Sequence, residues 1–554
     1  MERGFAMNFE KDIPDYAMVP AKEIDEHVIK PITKEAIYSP VQRTNILRGP
    51  EVTIVIEEDV LVPDIKPDLK EILIMEGCCN LSTHEADTTN KKDEYINISG
   101  QLILQTLYVP EKSDGLCPII SIETKIPFKE QWQATTPSLT VFDCKVKAIE
   151  YTVINERKYR IKALIAICTK EFAESTVSLF EGLTNDHLHV LKEKMAFSHL
   201  ASRKKDVLSI KEYISSISDT QPGTILMKTI NVIENYKQVA ADKIVVNGFI
   251  CVNALCLDKS PIGDACLSDN LHQVQEKVEF TQFIPLNHIS GISDSTISFD
   301  CSQLKLSVVQ HEDGHNVLCL EGDLVTYVEL YKALEKDVIV DAYHTEKNFL
   351  CNFIESSCIT KTGNNGGEAS VREIFVPKGL PYDVESILYT TGSVSDFRSS
   401  VEMGKIVCEG KIIAKMICSL ADDSGTVTSI VEEIPFRHAS SIAGLDGNED
   451  IQQDIVIKDF WSEKINGKQL EFNATIFSRT EAFKTSSFKI LTDPAFDTSN
   501  VASHSSPMVI YCCNEKDTLW QIAKKFKTNM DAIININHLD GEALCQGRKL
   551  LIIK

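Results

Sequence analysis

The chain has 554 residues, and its 57 Lys+Arg against 80 Asp+Glu give a formal net charge of −23 at pH 7. This length predicts several domains of about 100–150 residues each. The acidic balance argues against sequence-independent nucleic-acid binding, which needs a basic surface. No run approaches the ~18 apolar residues of a membrane-spanning helix, and the first residues lack the pattern of a secretory signal.

The first segment, residues 1–29, contains two prolines and many charged side chains, which predicts a flexible N-terminal arm. A β-rich unit follows over residues 30–172. It has three anchors: a strand around Gly100, a strand that contains Phe128 and a strand that begins at Tyr159. Their β-branched and apolar runs, bounded by polar turns, are typical of strands rather than helices.

The same three anchors recur twice in the same order, which indicates that the unit is present in three copies. The second and third copies are placed at residues 185–333 and 337–488. Their anchors are Gly248, Phe280 and Leu318 in the second copy, and Gly410, Phe436 and Leu470 in the third. A polar turn precedes each third anchor, and the Asp-Gly and Asn-Gly pairs in two of these turns favour tight hairpins.

The predicted fold class is mainly β, with three tandem antiparallel repeats of sandwich or barrel type and a small C-terminal module. Residues 492–507 are polar and small, which predicts a flexible linker before the module. Residues 508–554 then have a βααβ pattern. A strand leads to a helix start at Asp517-Thr518, two apolar helical faces follow, and Gly547 marks the turn into a closing strand.

The C-terminal module resembles the LysM domain in four motifs, Asp517-Thr518-Leu519-Trp520, Ile522–Phe526, Asn537-His538-Leu539 and Gln546–Leu550. In that family two loops border a groove for N-acetylglucosamine. Lys516 stands where the family usually has glycine, and Gln546 where it usually has proline. The loss of glycine freedom argues against sugar binding, whereas protein binding by the same surface is not weakened.

The resemblance implies a partner-binding surface around the two loops. The predicted partner-binding residues are Lys516, Asp517, Thr518, Leu519, Trp520, Asn537, His538 and Leu539. Trp520 has two interpretations, as a cap on the small core or as a partly exposed anchor for a partner, since tryptophan is favoured at binding hot spots. The module carries seven Lys+Arg and five Asp+Glu, so it is electropositive beside an acidic body.

The sequence has no motif for catalysis or for phosphate binding, so we predict neither an enzyme nor a cofactor. His311 and His315 have metal-like spacing but lie in a predicted hairpin turn, and His187 with His189 lacks a third ligand. No metal site is therefore predicted.

The 17 cysteines include no CxxC pair, and many lie in apolar runs, which predicts reduced thiols in the core. The adjacent Cys512 and Cys513 could be redox-active. Neighbouring residues of a strand point to opposite faces, however, so we expect one of the two in the core and the other exposed.

The repeats are similar in length and in their glycine-led strand to the SPOCS-type domain of spore-coat proteins. With a C-terminal LysM domain, they resemble the clostridial family of spore-coat morphogenetic proteins. The resemblance implies a non-catalytic adaptor in the mother-cell cytoplasm at the forespore surface. Its LysM domain would bind the coat basement ATPase SpoIVA, and the adaptor would promote encasement of the forespore by coat proteins. The alternative is a protein whose LysM domain binds peptidoglycan glycan and whose repeats form a wall-associated stalk.

Overall fold

The structure is a computed structural model that describes most of the chain. The described residues are 29–31, 35–49, 51–88, 95–111, 118–133, 138–184, 187–214, 221–259, 270–287, 289–311, 314–422, 426–497, 507–541 and 546–553. The predicted N-terminal arm lies outside them except for its last residue. Within these residues the fold is mainly β and its strands pair antiparallel, which confirms the predicted fold class.

The first repeat is a sandwich of two sheets. Its strands are β2 Ala36–Arg48, β3 Val52–Leu61, β4 Leu69–Leu81, β5 Glu85–Asp87, β6 Tyr95–Pro110, β7 Ile120–Gln133, β8 Leu139–Asn155 and β9 Lys158–Leu183, and β1 Ile29–Pro31 precedes them. Strands β4, β6 and β7 form one sheet, and β9 pairs with β2, β3 and β8 in the other. Both sheets contribute side chains to one apolar core between them.

The second and third repeats have the same plan. The second contains β10 His189–Ile214, β11 Pro222–Val239, β12 Lys243–Asp258, β13 Leu271–Pro285, β14 Asp294–Asp300, β15 Lys305–Gln310 and β16 Asn316–Tyr343. The third contains β17 Asn348–Phe375, β18 Val384–Glu402, β19 Lys405–Leu420, β20 Val427–Ser440, β21 Asp450–Asn466 and β22 Gln469–Asp497. In each, a three-stranded sheet packs on a sheet whose central strand is the last of the repeat.

Steric crowding explains why the first anchor of each repeat contains a glycine. Gly100, Gly248 and Gly410 lie directly opposite Phe128, Phe280 and Phe436 on the neighbouring strand. A Cβ atom on Gly248 would lie 2.5 Å from the carbonyl oxygen of Ile233 and 2.8 Å from the Phe280 ring. The phenylalanine ring therefore covers the glycine, and the first two anchors are the halves of one cross-strand contact.

The predicted hairpin turns are present. Residues 156–157 connect β8 to β9, and residues 467–468 connect β21 to β22. In the second repeat, the backbone N–H of His311 donates to the carbonyl oxygen of His315 at 2.8 Å, which pairs the two sides of the turn between β15 and β16. Two residues of that turn, 312–313, lie outside the described residues.

The first and last strands of each repeat continue beyond the sandwich as a two-stranded ribbon. The three ribbons pack against one another and are called the stem here; they comprise residues 36–48 with 170–183, 189–200 with 331–343, and 348–360 with 484–497. One of their shared core clusters contains Val177, Phe197, Val338 and Phe488, which come from all three repeats. The end of the stem where one repeat passes into the next is called the tip.

The stem extends the repeats past their predicted ends at residues 172, 333 and 488. The last strands end instead at Leu183, Tyr343 and Asp497. Residues 492–497 of the predicted linker thus belong to β22, so the linker prediction is wrong there, and residues 498–506 lie outside the described residues. Pairing with β17 and burial of Ala495 and Phe496 outweigh the polar composition of this segment.

The three sandwiches also meet one another. Four apolar residues from each repeat form a common cluster: Leu73, Ile74, Leu107 and Ile119; Leu226, Met227, Leu255 and Leu271; Leu388, Tyr389, Ile417 and Val427. Beside it, the Gln105 side chain donates to the carbonyl oxygen of Lys228 at 3.0 Å and accepts from its N–H at 2.9 Å. Gln273 makes the same pair of bonds with Thr390, at 2.7 and 2.9 Å. The repeats therefore form one body with an approximately threefold arrangement.

The C-terminal module has the predicted βααβ order. Its elements are β23 Met508–Cys512, α1 Leu519–Phe526, α2 Met530–Ile536 and β24 Lys549–Ile553, and β23 pairs antiparallel with β24. Among the described residues, no helix has both the length and the apolar character needed to cross a membrane.

Candidate functional site

Helix α1 of the C-terminal module begins where the sequence predicts. The Oγ1 atom of Thr518 accepts a hydrogen bond from the Gln521 N–H at 3.2 Å, and the Oε1 atom of Gln521 accepts one from the Thr518 N–H at 3.2 Å. This reciprocal capping box satisfies backbone amide groups that the helix start would leave free. Thr518 therefore fixes the direction in which α1 leaves the first loop.

Asp517 and Asn537 hold the two loops of the module in place. The Oδ2 atom of Asp517 accepts from the Asn514 N–H and from the Tyr511 hydroxyl, both at 2.8 Å. These two hydrogen bonds lower the pKa of Asp517 below its usual value. The Asn537 side chain donates to the carbonyl oxygen of Leu551 at 2.7 Å and accepts from its N–H at 2.6 Å. Both side chains are thus engaged within the module.

Leu519 and Leu539 are core residues, with 1% and 8% of their surface exposed. They pack with Ile522, Ile533 and Leu550 between the helices and the two-stranded sheet. Because these leucines are buried, a partner could reach them only if the module opened. Any partner-binding surface of the folded module has to be formed by their neighbours.

Lys516 and His538 are exposed, one on each loop. His538 adopts a left-handed backbone conformation with a φ of 49°, two residues after the end of α2. The N–H of Gly547 donates to the carbonyl oxygen of Cys513 at 2.8 Å, which joins the two loops where they meet the strands. The exposed residues of these loops, Lys516 and His538, are together called the loop face here.

Trp520 contacts the tip of the stem. Its Nε1 atom donates to Oδ2 of Asp341 at 2.8 Å, and its ring lies edge-to-face with that of Tyr343, with 5.0 Å between the ring centroids. Lys524, one helical turn later, donates to the other oxygen of Asp341 at 2.5 Å. Neither interpretation of Trp520 drawn from the sequence included a contact with the repeats.

The comparison with protein families identifies this module. Residues 514–552 match the LysM domain family. The C-terminal module is a LysM domain. The match includes both helices of the domain, the capping residues and the loop face. A LysM domain supports binding of peptidoglycan or another carbohydrate, or of a protein. No curated protein and no solved structure matches the chain.

The histidine pairs singled out in the sequence have separate surroundings. The His311 ring packs edge-to-face against Tyr213 at 5.5 Å, and Nδ1 of His315 lies 2.5 Å from Nε2 of Gln221. The His189 ring stacks on Tyr343 at 5.0 Å. Within the described ranges, the one group spaced to hold a metal ion consists of Asp68, Glu111 and Glu156, and it includes none of these histidines.

The described cysteines are free thiols. Burial raises the pKa values of Cys256 and Cys418 to about 12, so both thiols are protonated at neutral pH. Cys512 is exposed and Cys513 is buried in the LysM core, as the alternation along a strand predicted. The core prediction is confirmed for the buried cysteines, which include Cys408 and Cys418, whereas Cys168 and Cys251 are only partly buried.

Asp341 and Tyr343, the two residues that receive the LysM domain, were not predicted from the sequence. They occupy alternate positions of β16, so their side chains lie on the same face of the strand. Asp341 precedes Trp520 by 179 residues in the sequence. No local pattern distinguishes Asp341-Ala342-Tyr343 from other strand segments, and only the packing of the stem brings it to α1.

Proposed function

We propose that the chain is a non-catalytic spore-coat morphogenetic adaptor of the SipL type, whose LysM domain binds the coat basement ATPase SpoIVA. In this proposal it acts in the mother-cell cytoplasm at the forespore surface, where it gathers coat proteins and promotes encasement of the forespore. The observation that carries the proposal is the order of the domains. Three copies of one glycine-anchored β unit are followed by one LysM domain, as in the spore-coat family that the sequence resembles.

The arrangement of the repeats supports an adaptor role. Their shared core clusters join the three sandwiches and the stem into one body, which presents a broad surface with a fixed geometry. Several weak contacts made by one rigid body reinforce each other, because each contact raises the effective concentration for the next. The strongly acidic composition favours basic partners for this body.

The loop face supports a protein as the ligand of the LysM domain. Lys516 is exposed at the position where the family usually has glycine. A lysine at this position restricts the backbone more than glycine does, which argues against the sugar-binding conformation of the family. An exposed lysine and a histidine on adjacent loops can instead pair with carboxylates of a protein surface.

The test is a titration of the full chain with purified SpoIVA. We expect saturable binding that Lys516→Glu weakens about tenfold or more, which corresponds to ~1.4 kcal/mol or more. The matched control is Lys468→Glu, which reverses the charge of an exposed lysine in the turn between β21 and β22, and it should bind like the wild type. Absence of wild-type binding would overturn the proposal, and equal binding by both variants would remove Lys516 from the interface.

The LysM match also favours a second function, binding of N-acetylglucosamine in peptidoglycan. The same proteins should therefore be sedimented with purified peptidoglycan. Lys516→Gly restores the residue that the family usually has, so it should strengthen glycan binding if the loop face holds sugar. Wild-type binding to glycan without binding to SpoIVA would favour this second function and a location at the cell wall.

A further inference from the structure

One face of the LysM domain is occupied by the protein's own stem. Trp520 and Lys524 lie four positions apart on α1, so their side chains share one face of the helix. Both donate to the carboxylate of Asp341, one to each oxygen. This face, called the Trp520 face here, is distinct from the loop face with Lys516 and His538.

Tyr343 is a second point of attachment. Its hydroxyl donates to the carbonyl oxygen of Thr528, two residues after the end of α1, at 2.7 Å. Its ring lies between His189 of the stem and Trp520 of the LysM domain and is only 4% exposed. Although Tyr343 belongs to β16, it packs in the hydrophobic core cluster of the LysM domain, and burial raises its pKa to about 12.

A third contact comes from the next strand of the stem. The Nζ atom of Lys527 donates to Oδ1 of Asn348, the first residue of β17, at 2.9 Å. The LysM domain therefore contacts both strands that flank the connection between the second and third repeats, the end of β16 and the start of β17. Aromatic packing, a shared carboxylate and two further hydrogen bonds orient the domain, so the contact is specific rather than a result of tethering alone.

We propose that the tip of the stem is an internal binding site for the LysM domain, and that the Trp520 face binds extended segments with an aspartate and an aromatic residue two positions apart. Asp341-Ala342-Tyr343 is that segment in the free protein. The Trp520 face is thus closed to other ligands, while the loop face stays open. A ligand of the Trp520 face has to present the same chemistry and displace the tip. This inference does not depend on whether SpoIVA or glycan is the outside partner.

The spacing of the segment explains its fit. Alternate residues of a strand point to the same side and lie about 6.4–6.8 Å apart, so the carboxylate can bridge the indole N–H and the lysine while the ring packs beside them. A hydrogen bond with a charged acceptor is stronger than a neutral one. Removing the carboxylate and the tyrosine hydroxyl should therefore release the domain without disturbing the fold of the stem.

The test uses 19F NMR of the full chain labelled with 5-fluorotryptophan. The chain has three tryptophans, so three resonances are expected, which single Trp→Phe substitutions assign. The release variant combines Asp341→Ala with Tyr343→Phe. The matched control is Asp337→Ala, which removes an exposed carboxylate from the same strand. Trp132 in the first repeat and Trp461 in the third report on whether the body remains folded.

In the release variant we expect the Trp520 resonance to move and to broaden more with a soluble gadolinium chelate, while Trp132 and Trp461 keep their wild-type positions. The Asp337→Ala variant should match the wild type at all three. A Trp520 resonance with the wild-type position and the same gadolinium broadening in the release variant would overturn the docking. If the Trp132 and Trp461 resonances also move, the single variant Asp341→Ala is measured instead. The position and the gadolinium broadening of its Trp520 resonance then decide whether the LysM domain docks on the tip.

The ligand class is tested with a peptide that has the sequence of residues 337–347. Added to the release variant, it should return the Trp520 resonance towards its wild-type position, and added to the wild type it should have little effect. The control peptide has alanine and phenylalanine in place of the aspartate and the tyrosine. If the two peptides act alike on the release variant, the proposed recognition of an aspartate and an aromatic residue is wrong.

Discussion

The sandwiches and the stem are built from the same repeats but are stabilised differently. The core of each sandwich consists of residues from its own repeat. The clusters of the stem draw on all three repeats, and charged side chains are buried where the stem meets the sandwiches. A sandwich is therefore a local unit of the sequence, whereas the stem exists only when the three copies come together.

The buried charges show this dependence most clearly. Glu329 in the second repeat receives a hydrogen bond from Lys170 of the first repeat at 2.6 Å. Lys361 of the third repeat pairs with Asp294 of the second at 2.8 Å and with Glu481 of its own at 2.7 Å. Because each charge needs a partner once it is out of water, these ion pairs make correct assembly of the repeats more favourable than a shifted one.

The largest effect is expected from removal of a buried cation. Lys361 has 2% of its side-chain surface exposed, and Lys361→Ala leaves Asp294 and Glu481 without their nearest cation. This should lower the free energy of unfolding by about 3–5 kcal/mol, measured by urea denaturation. The control is Lys489→Ala, an exposed lysine of the stem. Equal stability of the two variants would show that the ion pairs do not stabilise the junction between the stem and the sandwiches.

Acid should also weaken the buried ion pairs where the stem meets the sandwiches. Burial opposes ionisation of Glu481, but Lys170 and Lys361 outweigh burial and hold its pKa well below the usual value. The folded state then binds fewer protons than the unfolded state, so the stabilisation is complete above the unfolded pKa of about 4.3. It is lost as the pH falls from there towards the folded pKa.

The measurement is the urea midpoint between neutral pH and about pH 3, for the wild type and for Glu481→Gln. The variant should be less stable at neutral pH and lose less stability in acid, because it cannot titrate at this position. Glu433→Gln, at an exposed glutamate of a sandwich, is the control. Identical acid dependence of Glu481→Gln and the wild type would contradict the prediction.

A substitution within one sandwich should have a smaller and more local effect. Gly248→Ala forces a Cβ atom against the Ile233 carbonyl oxygen and the Phe280 ring, which should cost about 1–3 kcal/mol. Hydrogen exchange should increase in β12 and β13 and remain unchanged in the sandwich of the third repeat. Glu276→Ala on the exposed side of β13 is the control. Faster exchange in all three sandwiches would contradict the local character of each sandwich core.

The smallest effect is expected for ion pairs on the surface of a sandwich. Arg437 contacts Glu402 at 2.9 Å and Glu409 at 2.8 Å, but its side chain is 61% exposed. Since water screens such pairs, Arg437→Ala should change the free energy of unfolding by less than about 1 kcal/mol. Urea denaturation of Arg437→Ala and Lys361→Ala under the same conditions compares the loss of exposed ion pairs with the loss of buried ones. A loss as large as that of Lys361→Ala would show that burial is not the deciding factor.

The sandwiches and the LysM domain could be predicted because their signals are local. The glycine and phenylalanine anchors mark strands that pair with each other, and the polar turns mark hairpins. In the LysM domain, Thr518 marks the start of α1. The stem gave no such signal, because its ribbons join the start of each repeat to its end. Polar segments such as residues 492–497 become strands only through that pairing.

The sequence by itself determined the number of repeats, their antiparallel strands and the LysM domain, because turn residues, strand periodicity and helix capping act between neighbours in the chain. Only the tertiary structure decided that the repeats share a core and that Trp520 contacts the stem. Asp341 and Tyr343 have no distinguishing local pattern. Their role comes from long-range packing, which places one strand face against a helix 179 residues later.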